Sequence, residues 1–440
     1  MKIAIVPKKI AVVSYPGLVI RSFLAGLISG AAVSVFIHAA EKLAETGLQI
    51  YSAVREEPIW LLLALPMAAA LGLLSYLLLR LDPDVAGSGI PNAEGAIRGM
   101  RRLNRLRVAA GTVLGGLITL FGGLSLGLEG PSVAIGAAIG YAVTDWTGSN
   151  DRYDPFVAMG GAGAGFAAAF HAPIAGALFA LEEFKSGFGA SLTAAVTTSV
   201  LGGTLSYTLL SLALGGGGRL MPVEVVVLPF KLSWTLAIVA AVAGAFAALF
   251  IKLLQVIHVS AFLKRVPVVV RLIAAFVATA LAAVFLPETF GVGTNIVLAE
   301  SQALFSPEKM ILLLVVEVLL TALGFYSKAT GGMLIPALAL GALIGGLGRT
   351  VFAGVGVTEE YTAIFVVAVM AAFLGAAFGT PLSSAVLALE LTGASTESMI
   401  YIAVSVFIAF IVAEVLKRKP LYEFIIEAEL PAKRGSLPKP

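Results

Sequence analysis

The stretch Gly127-Leu128-Glu129-Gly130-Pro131 sets a carboxylate in a glycine-rich break between apolar runs long enough to cross a bilayer. An ionisable side chain at that depth costs roughly 2.5 to 3.5 kcal/mol on insertion scales, so it is a functional candidate by default. The runs around it occupy about 16–37, 59–79, 108–126, 155–181, 191–214, 232–254, 267–286, 310–326, 333–352, 363–391 and 400–416. Each is near the roughly 20 residues that a spanning helix needs. The 440-residue chain is 59% hydrophobic and 12% charged, about half the charge of a soluble domain. These features predict an all-α polytopic membrane protein in a lipid bilayer.

Charge is placed topologically. The first run is too long for a cleaved signal peptide and reads as a retained helix, although Lys2, Lys8 and Lys9 precede it. Those lysines, the cluster Arg98, Arg101, Arg102, Arg105 and Arg107, and the tail bearing Lys417, Arg418, Lys419, Lys433 and Arg434 are the densest basic segments. By the positive-inside tendency all three are expected in the cytoplasm, with both termini. No nucleic-acid partner is expected from the arginine cluster. The chain has no cysteine, which rules out disulfides and thiolate metal sites; no metal or cofactor is expected.

The chain also resembles itself. Phe170-His171-Ala172-Pro173 through Glu182 recurs as Phe378-Gly379-Thr380-Pro381 through Glu390, and 127–140 matches 332–345 at nearly the same offset, Pro131 aligning with Pro336. Two transmembrane repeats are expected, 1–217 and 218–425, joined at Gly215-Gly216-Gly217-Gly218. A short cytoplasmic tail, 426–440, follows. Repeats in transporters place the substrate site at their interface, formed by helices broken at glycine and proline.

Three breaks have suitable chemistry. Gly87-Ser88-Gly89-Ile90-Pro91 carries a hydroxyl donor before a proline that fits a first helical turn. The Glu129 break leads into Pro131. Gly331-Gly332-Met333-Leu334-Ile335-Pro336 repeats the plan with apolar side chains, leaving backbone amides such as those of Met333 and Leu334 as donors. Inward-pointing helix N-termini form an anion site. With no Lys or Arg in the three breaks, an anion would be held by partial charges and released again, as conduction requires.

Together with Lys419-Pro420-Leu421-Tyr422, these motifs, in order and spacing, resemble the CLC chloride channel and transporter family over about residues 16–425. The resemblance implies an inverted-topology repeat with re-entrant and broken helices, assembled as a homodimer with one pore per subunit. It implies that Ser88, Tyr422 and the amides of Gly130, Met333 and Leu334 bind the anion. Glu129 would be the gate and external proton site, and Glu183 the internal proton-transfer residue. Burial and a neighbouring anion each favour the neutral form of a carboxyl, which suits a proton-coupled gate.

Each residue has a plainer rival. Glu129 could cap a helix, Ser88 likewise, and Tyr422 could anchor an interfacial aromatic belt. Glu182 reads as a solvated helix end, Glu183 has the same rival, Glu390 reads as structural, and His171 as a packed polar residue. Leu128 departs from the family, which usually has Arg or Lys before the gate, and His171 stands where asparagine is commoner. The chain stops soon after Tyr422, which suggests a compact member of a prokaryotic inner membrane. Gly123-Leu124-Ser125-Leu126-Gly127 satisfies a hydrolase pattern, yet it lies in an apolar helical run, so an enzyme is not expected. With both glutamates present, proton-coupled chloride exchange is the reading. A passive chloride channel is the main alternative and a fluoride-selective exchanger a third; Ser88 and Tyr422 favour chloride.

Overall fold

Where the apolar sequence is uninterrupted the chain forms long helices, and where proline follows a left-handed residue it breaks. The computed structural model describes residues 15–101, 104–149, 152–184, 189–213 and 218–429. Lys2, Lys8, Lys9, Arg102, Lys433, Arg434 and the expected junction at Gly215, Gly216 and Gly217 lie outside them.

The first set of helices is α1 (Tyr15–Glu56), α2 (Leu61–Leu81), α3 (Ile90–Ile97), α4 (Arg105–Phe121), α5 (Glu129–Thr147), α6 (Asp154–Phe170), α7 (Pro173–Glu183) and α8 (Ala190–Ala213). The second is α9 (Ser233–Val259), α10 (Ala261–Lys264), α11 (Val268–Phe285), α12 (Thr294–Ser301), α13 (Pro307–Ser327), α14 (Leu334–Val351), α15 (Thr362–Phe378), α16 (Pro381–Thr392), α17 (Thr396–Val415) and α18 (Leu421–Glu429). The expected tail starts inside α18. Among the described residues nine helical spans are long and apolar enough to cross a membrane.

Two expected runs, 155–181 and 363–391, are each a pair of helices. The first stops at His171 with φ 52° and the second at Gly379 with φ 82°, both left-handed helix ends. Pro173 and Pro381 follow two residues later, push the preceding residue out of helical backbone and open α7 and α16. These helices have 11 and 12 residues, about half the hydrocarbon thickness at roughly 1.5 Å per residue. Each is too short to cross a bilayer alone.

Each set encloses a central helix: α6 among α1, α5, α7 and α8, and α15 among α9, α14, α16 and α17. Glycine permits the closest approach, since a Cβ on Gly161 of α6 would strike the Gly136 carbonyl of α5.

The sets lock together through α7 and α16. Glu182 accepts the amides of Leu382 at 3.0 Å and Ser383 at 2.7 Å, at the start of α16. Glu390 accepts those of Ile174 at 3.0 Å and Ala175 at 2.7 Å, at the start of α7. Each carboxylate satisfies orphan donors of the other set's helix and faces the positive end of its dipole. Glu390 is structural as expected. Glu182 is not a solvated helix end, because its charge is taken up by the amides of α16.

Candidate functional site

Two glycines bring the breaks together. Gly127 and Gly332 form an antiparallel bridge, Gly127 N–H donating to Gly332 O at 2.8 Å and Gly332 N–H to Gly127 O at 2.7 Å. The bridge sets the start of α5 against that of α14, with Pro131 and Pro336 each in the first turn, where their missing donors are not needed.

Glu129, the first residue of α5, is fully buried. Its Oε1 accepts the Leu334 amide at 2.7 Å, and among the described residues Oε2 has no hydrogen-bond partner. A Cβ on Gly127 or Gly332 would collide with this carboxylate, so both positions require glycine for the seat to exist. Glu129 thus occupies the N-terminus of α14, a position with the donors and dipole of an anion site.

Ser88 lies between Gly87 and Gly89, whose φ angles are 75° and 81°. The loop is pinned by Gly87 N–H to the Lys328 carbonyl at 3.2 Å and by Gly331 N–H to the Gly87 carbonyl at 3.1 Å. From there the Ser88 hydroxyl donates to the Tyr422 hydroxyl at 3.2 Å. Tyr422 is 1% exposed and its ring lies 5.1 Å from that of Phe378, which excludes the role of interfacial anchor. Gly130 backs onto Ser88, where a Cβ would strike the serine carbonyl. Glu183 is buried at the end of α7 and lines neither cavity described next.

Two cavities flank the bridge. One, of about 520 Å³, is lined by Gly87, Ser88, Leu126 and Met333 and bears Lys264, Arg271, Lys328, His258 and Glu429. The other, of about 340 Å³, is lined by Leu128, Glu129, Ile335 and Gly291 to Asn295 and bears Glu41 and Glu45 but no Lys or Arg. Leu126 and Met333 line one, Leu128 and Ile335 the other, so the Gly127–Gly332 bridge stands between them.

Sequence reasoning overlooked two features. Gly291 and Gly293, with φ angles of 85° and 89°, repeat the Gly87 and Gly89 turn before α12; the shared Gly-x-Gly spacing was the available signal. Ser125 is not inside a helical run: it sits in the loop between α4 and α5, donating to Glu317 Oε1 at 2.6 Å and pairing with Thr321 at 2.8 Å. No strand precedes it, so the context of a hydrolase nucleophile is absent among the described residues.

Leu128 packs against Val33, Phe36 and Leu120 and borders the Glu129 cavity, so an apolar side chain stands there beside Glu41 and Glu45. His171 is half-buried, stacked on Tyr207 at 5.1 Å, with Nδ1 2.9 Å from the Gly218 carbonyl, a packed polar residue. Arg98, Arg101 and Arg105 pair with Glu94, Asp84 and Asp145.

Residues 67–414 match the family model described as voltage gated chloride channel. The chain belongs to this family. Among solved structures it is similar to a slow cyanobacterial Cl-/H+ antiporter, with 25% identity and a TM-score of 0.85 over 95% of this chain and 99% of that one. It is also similar to a eukaryotic CLC transporter, with 21% identity and a TM-score of 0.74 over 93% of this chain and 74% of that one. A CLC-type fluoride/proton antiporter matches with 22% identity and a TM-score of 0.73 over 93% and 97%. Membership of the family agrees with the breaks, the bridge and the converging helix starts, and makes the protein a polytopic membrane protein of the CLC fold.

Proposed function

We propose that this protein exchanges chloride for protons across a membrane. The observation that carries the reading is the 2.7 Å bond from the Leu334 amide to Glu129: a helix start suited to an anion holds a carboxylate instead. Chloride and ionised Glu129 then compete for one seat. A neutral carboxyl is a weaker acceptor than a carboxylate, so protonation releases the seat and exchanges one ion for the other. The similarity to a Cl-/H+ antiporter at 25% identity supports the same reading.

In this scheme Glu129 is gate and external proton site, and Glu183 hands on protons from the cytoplasmic side. The Ser88 and Tyr422 hydroxyls with the amides of Gly130, Met333 and Leu334 hold chloride. The bonded pair Ser88–Tyr422 and the seated Glu129 close the path at two points, which favours exchange over an open channel. The basic Ser88 cavity faces the cytoplasm, with both termini, in a prokaryotic inner membrane. Repeats 1–217 and 218–425 form one pore, and two subunits form a homodimer.

The test is proton movement in proteoliposomes under an imposed chloride gradient, with the voltage clamped by a potassium ionophore. Wild type should drive protons uphill, whereas Glu129→Ala and Glu183→Gln should pass chloride without protons. Chloride flux with a flat pH in wild type would replace exchange by a channel.

A further inference from the structure

Glu317 is fully buried in the middle of α13, a membrane-spanning helix, and the gate described above does not use it. Its Oε1 accepts from Ser125, whose hydroxyl also pairs with Thr321. Among the described residues Oε2 has no hydrogen-bond partner and no cation pairs with Glu317. Ser125 stands four residues before Glu129 on the loop that leads into α5. The same Glu317 Oε1 lies 3.5 Å from the place where a Cβ on Gly293 would be, and Gly293 lines the Glu129 cavity. Glu317 therefore sits immediately behind the wall of that cavity, tied to the gate's own loop.

An isolated buried carboxylate is costly enough that the group normally binds a proton or a cation. An ionisable residue inside a bundle marks an ion or proton path by default. Charged and titratable groups on neighbouring elements are His258 and Lys252 on α9, Arg271 on α11, Arg349 on α14, and Glu288 paired with Lys309. Arg271 is held by the carbonyls of Val266 and Lys264. Along α13 itself, Lys309 and Phe325, beside which His258 lies, are each eight residues from Glu317, roughly 12 Å of helix. None of these supplies Glu317 with a hydrogen bond among the described residues.

We propose that Glu317 is a second proton-carrying carboxyl that loads Glu129 from the Glu129 cavity. This rests on the exchange reading. A proton from cavity water binds ionised Glu317, whose Oε1 is the oxygen beside Gly293. It then passes to ionised Glu129, leaving Glu317 as carboxylate and Glu129 as neutral carboxyl, which leaves the Leu334 amide.

The experiment compares wild type with Glu317→Gln in voltage-clamped proteoliposomes, reading proton and chloride fluxes as pH is varied on the Glu129-cavity side. Glutamine keeps an acceptor for Ser125 and removes the exchangeable proton. Chloride flux should persist, protons moved per chloride should fall severalfold, and the pH dependence on that side should flatten. Glu317→Asp should restore part of both. Should Glu317→Gln fail to fold, Ser125→Ala serves in its place and should shift the pH profile while chloride still moves. A coupled wild type whose variants keep the wild-type ratio and pH profile overturns this proposal alone. A wild type that moves no protons overturns both it and the exchange reading.

Discussion

The Ser88 cavity and the Glu129 cavity share a backbone plan and differ in charge. Each begins at a pair of glycines in left-handed backbone, Gly87 and Gly89 or Gly291 and Gly293, and each ends on the Gly127–Gly332 bridge. Yet one bears Lys264, Arg271 and Lys328 while the other bears Glu41, Glu45 and Glu129. The serine of the first turn corresponds to Val292 in the second, and the carboxylate of the first break to apolar Leu334 in the second. The two cavities share a backbone scaffold, and their side chains set them apart. A basic vestibule concentrates anions and an acidic one concentrates protons.

The strongest way to break this contrast is to unseat the gate without altering it. The three atoms nearest to a Cβ on Gly127 all belong to the Glu129 carboxyl, the free end of a flexible side chain. Gly127→Ala should therefore expel Glu129 from the Leu334 amide, raise chloride flux and reduce proton movement to the leak of empty vesicles. Wild-type coupling in this variant would show that the seat is not the coupling element.

Exchanging the charge of the vestibules comes next. Glu41→Lys with Glu45→Lys should raise chloride uptake from the Glu129 side by about tenfold at low salt, a typical gain from a focused field. The gain should fade as ionic strength shortens the screening length. Initial rates against chloride concentration on that side give the answer; no change would mean that the vestibule charge does not govern access.

Smaller effects follow from single groups. Tyr422→Phe removes the hydroxyl bonded to Ser88 and should weaken chloride binding, measured by calorimetry, by about 1 kcal/mol or roughly fivefold. The smallest test addresses where the repeats agree. Glu182→Gln and Glu390→Gln should each lower thermal stability by about 1 kcal/mol, as weakened helix caps do, and by similar amounts. Unequal losses would show that the α7–α16 exchange is symmetrical in geometry only.

The three breaks were legible because glycine, proline and an out-of-place carboxylate stand out against apolar sequence. Glu129 and Ser88 could be named for the same reason, whereas Tyr422 was reached only through the resemblance carried by Lys419-Pro420-Leu421-Tyr422. The interruptions at His171 and Gly379 were hidden inside apolar runs, since hydropathy does not report backbone handedness; Pro173 and Pro381 were the surviving clue. The Ser125–Glu317 bond joins residues 192 apart, and the repeat could not reveal it because it has no counterpart. The Glu182–Glu390 exchange was masked differently. The repeat aligned the two residues, but a pairwise alignment does not say that each serves the other's helix.

All of α15 is buried, yet it is as apolar as α2, much of which lies open at the surface. A helix that must dissolve in lipid before its partners close around it needs an apolar surface, whatever finally covers it. Its composition records how the molecule is assembled as much as where the helix ends up. Polar substitutions along α15 should therefore harm insertion before they harm packing.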